Sequence, residues 1–176
     1  MGSQYRSLKD ADIEFIKAQK LFYIASSSGK EVNLSPKGYD SIRILDNSNL
    51  VFMNYPGSGN RTYTDAKANG EFTLVFNAFE GNAKILRLFC KATIVEAKSE
   101  KFYEYLKLFN EEESLVRDFF EFHIYAVESS CGQSVPLMEY KEERTALKEW
   151  VVKMDKNNKL QDYKEKNKVP PNLQNL

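Results

Sequence analysis

The chain has 176 residues, with 25 Lys and Arg set against 25 Asp and Glu, so its formal charge is zero. That length suits one domain with a sizeable core, and the balanced charge excludes a global field drawing the protein to nucleic acid or an anionic membrane; any anion site must be local. Twelve Phe and ten Tyr argue against disorder and for a packed, strand-rich interior.

Residues 8–20 place Leu8, Ile13, Phe15 and Ile16 at helical spacing, with Asp10 available as N-cap. The pattern then turns to strands. Residues 21–26 and 32–34 flank turn chemistry at Ser27-Ser28-Gly29-Lys30, and residues 41–45 and 50–54 flank Asp46-Asn47-Ser48-Asn49, giving two predicted hairpins. A brief helix over 63–68 ends at Asn69-Gly70, a pair suited to a left-handed cap. Residues 72–79 and 85–95 are long apolar strands, because β-branched and aromatic residues dominate them. Helical spacing returns over 98–109, residues 123–129 read as another strand, and 143–154 is an amphipathic helix with Leu147, Trp150, Val151 and Met154 on one side. Residues 1–154 are thus expected to form the domain. Residues 155–176, rich in Lys and Asn with Pro170-Pro171, read as a partly ordered polar tail.

Short strands at hairpin spacing with few helices between them favour a mainly β, α+β fold with an antiparallel sheet closed into a barrel. Cys90 and Cys131 lack CxxC spacing and His123 is the only histidine, so neither a zinc site nor a disulfide framework is expected. Met-Gly-Ser-Gln-Tyr-Arg at the start lacks the apolar core of a signal peptide, and no apolar run approaches the ~20 residues that span a membrane. The expected setting is cytoplasmic.

The most informative stretch is Tyr55-Pro56-Gly57-Ser58-Gly59-Asn60-Arg61-Thr62-Tyr63-Thr64-Asp65, which packs glycines, hydroxyls, an amide and a guanidinium between a β-rich run and a helical one. Glycines let backbone N–H groups approach an anion, hydroxyls donate short hydrogen bonds, and arginine forks onto phosphate oxygens. An ordinary strand-to-helix loop with a Ser or Thr cap has the same composition.

Asn33-Leu34-Ser35-Pro36-Lys37-Gly38, Gly57-Ser58-Gly59-Asn60-Arg61-Thr62, Phe79-Glu80-Gly81 and Ile85-Leu86-Arg87-Leu88 follow one another in an order that resembles the pyridoxamine 5'-phosphate oxidase-related family of FMN-binding split barrels. Ser129-Ser130-Cys131-Gly132-Gln133-Ser134-Val135-Pro136 is similar to a small-residue turn in one branch of it. The resemblance implies a six-stranded antiparallel split β-barrel and a homodimer with FMN held where the subunits meet. It puts Arg61 and Thr62 on the FMN phosphate, with Ser58 and Asn60 shaping the loop, and runs Ser35, Pro36, Lys37 and Gly38 along the flavin ring. There the Lys37 ammonium would favour the reduced flavin. Read on local sequence alone, Lys37 is sooner a solvated turn lysine than a cofactor contact, and only the companion motifs reverse that. Arg87, alternating with apolar neighbours, is either a phosphate ligand or a surface or interface residue. Arg43 is a further phosphate candidate, and Glu80 is a candidate to orient Lys37 or Arg87, or an ordinary turn residue.

True pyridoxamine phosphate oxidases grip their substrate with Arg and His in a C-terminal stretch, and residues 156–176 contain neither. The resemblance therefore implies an FMN-dependent oxidoreductase of unassigned substrate, with no catalytic residue singled out. The alternative is a flavin-binding or flavin-storage module without turnover.

Overall fold

The computed structural model describes residues 2–29 and 31–173. Eight strands form one antiparallel sheet: β1 (Ser3–Tyr5), β2 (Phe22–Ser27), β3 (Val32–Lys37), β4 (Ile42–Ile44), β5 (Asn49–Asn54), β6 (Glu71–Asn77), β7 (Ile85–Val95) and β8 (Asp118–Ser130). Their order is β3-β2-β6-β7-β8-β5-β4, with β1 on β8. Opposite Phe89 and Cys90 the register skips Tyr125, a bulge that bends β8 against β7, and the sheet curls into a half-barrel.

The expected count of six strands is too low. β8 is 13 residues long, and its free edge takes β5 along Asp118 to His123 and β1 along Val127 to Ser129. β1 is three residues with no apolar alternation, so periodicity does not show it. β8 also begins at Asp118, five residues before the predicted start. Alternation fails there because both faces are covered: Phe120 and Phe122 point into the barrel, whereas Phe119 packs on the outer helices.

Among the described residues five α-helices surround the sheet: α1 (Asp10–Ala18), α2 (Arg61–Lys67), α3 (Glu100–Phe109), α4 (Ala146–Lys156) and α5 (Leu160–Lys166). Asp12 rather than Asp10 fastens the start of α1. It accepts the Lys9 N–H at 3.1 Å and is buried with Tyr5 Oη at 2.7 Å and Lys84 Nζ at 2.8 Å. Ser99 caps α3 by accepting the Phe102 N–H at 3.2 Å, and α2 gives way to Asn69 in the left-handed region, φ 53°, as predicted.

Two apolar cores result. Phe22, Ile24, Phe72, Leu74, Phe76, Leu86, Leu88, Phe120 and Phe122 fill the barrel, closed at one end by Ile16 of α1. On the other side of β5 and β8, Val51, Met53 and Phe119 meet Phe102 of α3, Val151 of α4 and Leu160 of α5. Phe119 is fully buried among the rings of Phe102, Tyr105 and Phe109 at 5.3–5.5 Å between centroids. Among the described residues no helix is long and apolar enough to cross a membrane, and no group of His, Cys, Asp and Glu is arranged to hold a metal.

Candidate functional site

The 55–60 loop leaves β5 and delivers α2 against β2 and β7, with the start of the helix reaching the edge strand β3 through Thr62. Asn60 precedes the helix, but its side chain does not cap it; Nδ2 donates to the Lys168 carbonyl at 3.1 Å. Arg61 donates from Nη1 to Glu31 Oε1 at 2.5 Å and from Nη2 to the Pro171 carbonyl at 3.0 Å. Thr62 is buried, and its Oγ1 accepts from Asn33 Nδ2 at 3.3 Å. The same amide nitrogen donates to Ser26 Oγ at 3.1 Å, and Ser26 donates to the buried Asp65 carboxylate at 2.7 Å. One polar chain thus ties β3, β2 and α2. Ser58 lies exposed at the loop tip.

Along β3 the side chains alternate. Asn33, Ser35 and Lys37 share a row with Ser26, Ile24 and Phe22, on the inner side, while Val32, Leu34 and Pro36 are exposed on the outer side. Ser35 Oγ donates to Asn33 Oδ1 at 3.3 Å, extending the polar row, and Lys37 Nζ sits 5.5 Å from the Phe52 ring centroid. Burial pulls the Lys37 ammonium below its ordinary range; Asp118 opposes that pull and Arg117 adds to it. Gly38 follows, its carbonyl accepting from Ser41 Oγ at 2.7 Å.

Arg117 and Asp118, at the entry to β8, carry no signal in the sequence beyond an Arg-Asp pair directly ahead of an apolar run. Both are buried. Asp118 accepts from Asn54 Nδ2 at 2.8 Å, and burial pushes its carboxyl up to about 7 in spite of that bond and of Arg117. Arg117 Nη2 donates to the Gly57 carbonyl at 2.9 Å, bracing the loop from behind.

Arg87 stands apart from the α2 loop. Its Nη1 meets Glu128 Oε1 at 3.2 Å and Ser130 Oγ at 3.0 Å. The pairing Pro36–Tyr23–Val75–Arg87 nevertheless sets Arg87 and Pro36 in one row on the outer face of the sheet, three strand spacings or about 14 Å apart. Arg43 is occupied by Asp40 at 2.5 Å, and Glu80 accepts the Tyr140 N–H at 2.9 Å. Trp150 packs in the second core, and His123 meets Asn49 Oδ1 at 3.1 Å. The tail also takes part: α5 continues the fold, and residues beyond it reach the loop through Lys168 and Pro171.

No family model matches the sequence. The chain is 33% identical over 141 residues to the pyridoxamine 5'-phosphate oxidase family protein ustO of Aspergillus flavus, a match covering 77% of this chain and 56% of that protein. The chain therefore spans about half the length of the curated relative it matches. Among solved structures, HupZ of group A Streptococcus superposes with a TM-score of 0.57 at 16% identity, covering 75% of this chain and 99% of that one. A candidate pyridoxamine 5'-phosphate oxidase of Lactobacillus delbrueckii gives 0.55 at 16% identity, covering 70% and 98%. At these identities the two structures speak for the fold alone. The chain is thus a relative of a pyridoxamine 5'-phosphate oxidase family protein and shares the split-barrel fold of these solved structures.

Proposed function

We propose that the protein binds FMN between the α2 loop and β3 and uses it as an oxidoreductase. The observation that carries this reading is the Asn33–Thr62 hydrogen bond, which brings two motifs almost thirty residues apart to one polar edge. The donor set there fits the cofactor. Arg61 and the Thr62 hydroxyl suit a phosphate, Ser58 and Asn60 shape the loop around it, and Lys37 provides a half-buried cation beside the strand assigned to the ring. A phosphate would replace Glu31 on Arg61, an exchange that costs little because a partly exposed ion pair contributes only about 0–1 kcal/mol. When bound, FMN supplies reversible hydride chemistry at its ring; the protein holds the phosphate, orients the ring and tunes it by charge.

The outer face of β3 supports a second subunit. Val32 and Leu34 are 76% and 62% exposed on an edge strand, an arrangement that proteins ordinarily cover. A partner packed there would wall the ring and bring Arg87 to the interface. The test is to add FMN, desalt, and record the visible spectrum: retained flavin absorbance supports the reading, and a colourless protein refutes it. Anaerobic NADH or NADPH then separates turnover from storage, since a bleached flavin band marks a nicotinamide-linked reductase and a band persisting with both donors argues against one.

A further inference from the structure

On the far side of α2 from β3 lies a cavity of about 430 Å³, a size typical of small-molecule sites. Asn60 and Tyr63 form one wall, Arg117 and Asp118 the floor, and Gln161, Lys164 and Lys168 of the α5 segment the opposite wall. The floor is unusual. Arg117 is only 8% exposed, and its Nε and Nη1 are shut off from solvent without a hydrogen-bond partner, whereas Nη2 alone is used, on Gly57. Buried guanidinium donors are nearly always satisfied, so two idle ones mark a missing acceptor. The surrounding charge points the same way, because Lys37, Arg117 and Lys164 converge on the single buried carboxylate of Asp118. The acids at the rim, Glu96, Glu113, Asp155 and Glu165, are exposed and solvent-screened, and Glu96 is already paired with Lys67 at 2.9 Å.

We infer that this cleft is a second ligand site, separate from the flavin edge, which takes a small molecule bearing one oxyanion, phosphate or carboxylate, on Arg117. As the ligand enters, Lys164 Nζ, which now donates to the Val116 carbonyl at 2.8 Å, turns to the anion, and the Arg117 guanidinium rotates to bring its idle Nε and Nη1 to the cleft. The acidic rim selects against polyanions, so the remainder of the ligand is neutral or cationic.

The test is calorimetric titration of the full chain carrying Arg61→Ala, which removes the guanidinium proposed to hold the FMN phosphate. Inorganic phosphate and acetate are the two probes, at ionic strength matched with chloride. Saturable uptake of either supports the site, and whichever probe saturates assigns the class. Adding Lys164→Gln should weaken that uptake about tenfold or more, and Arg117→Lys should weaken it further. If Arg117→Lys fails to fold, Lys164→Gln decides alone. No saturable uptake of either probe, or uptake unchanged by Lys164→Gln, overturns the inference. FMN binding by the unsubstituted chain is read separately, so either site can fail without the other.

Discussion

Asn33 and Thr62 meet at 3.3 Å, and through that contact the edge strand β3 is fastened to the start of α2. Ser26 and Asp65 continue the linkage into the barrel wall, so the loop that carries Arg61 is positioned by buried polar bonds rather than by its own turn chemistry. Asn33→Ala should cost about 1–3 kcal/mol, because Thr62 and Ser26 lose a common donor in a half-buried place. It should also weaken FMN binding without touching the ligand. Urea unfolding and flavin titration on the same sample check both effects; an unchanged stability would mean the linkage does not hold the loop.

Lys37→Met tests the ring end. Loss of a cation beside the flavin should make the midpoint potential more negative, by roughly 30 mV for each ~1.4 kcal/mol of lost stabilisation of the reduced form. Spectroelectrochemistry reads it. An unmoved potential would place Lys37 away from the ring.

Asp118 gives a pH signature. Its carboxyl stands at about 7 in the folded chain against roughly 4 when unfolded. Protonation is therefore favoured by folding: the contribution is full below about pH 4, declines as pH rises, and is gone above about 7. Asp118→Asn keeps an acceptor for Asn54 and removes the titration. The unfolding midpoint of the unsubstituted chain should fall relative to that of the variant between about pH 4 and 7, and parallel profiles would contradict the assignment.

Phe119→Ala should cost about 3–5 kcal/mol, since the ring is fully buried beneath α3 and its loss leaves a cavity among three other rings. A urea midpoint shifted by less than that of an exposed substitution such as Tyr103→Ala would show that the second core does not stabilise the sheet.

If the exposed face of β3 is the proposed subunit contact, light scattering should give a mass near twice 20.4 kDa for the flavin-loaded protein. Leu34→Lys, which sets a charge on that face, should shift the protein toward the single-chain mass. A monomer that retains FMN would remove the partner from the site.

Much of this was legible in the residues. β7 spans the predicted 85–95, because its inner positions alternate cleanly, and α3 follows its spacing through Phe102, Tyr105, Leu106 and Phe109. The start of β8 was not legible, since Asp118, Phe119 and Phe120 are all buried, and a strand covered on both faces shows no period of two. β5 has the same property from Leu50 to Met53, yet its flanking turn signals outline it. For the site, composition alone announced the 57–62 loop, and the order of motifs paired it with β3. Arg117 and Asp118 escaped notice because their importance comes from burial, which a charged pair in a loop does not advertise. The contribution of Lys168 and Pro171 escaped for another reason: both bind through backbone carbonyls, which leave no trace in residue type.

The proposed flavin site depends above all on Arg61 and its loop holding the phosphate of FMN. A flavin-fluorescence quenching titration of the unsubstituted chain beside Arg61→Ala tests it most directly. The expected result is saturable quenching that weakens about tenfold or more in the variant, whose unfolding midpoint stays within what a partly exposed ion pair contributes. Equal affinity in the two proteins, or no quenching in either, would contradict it.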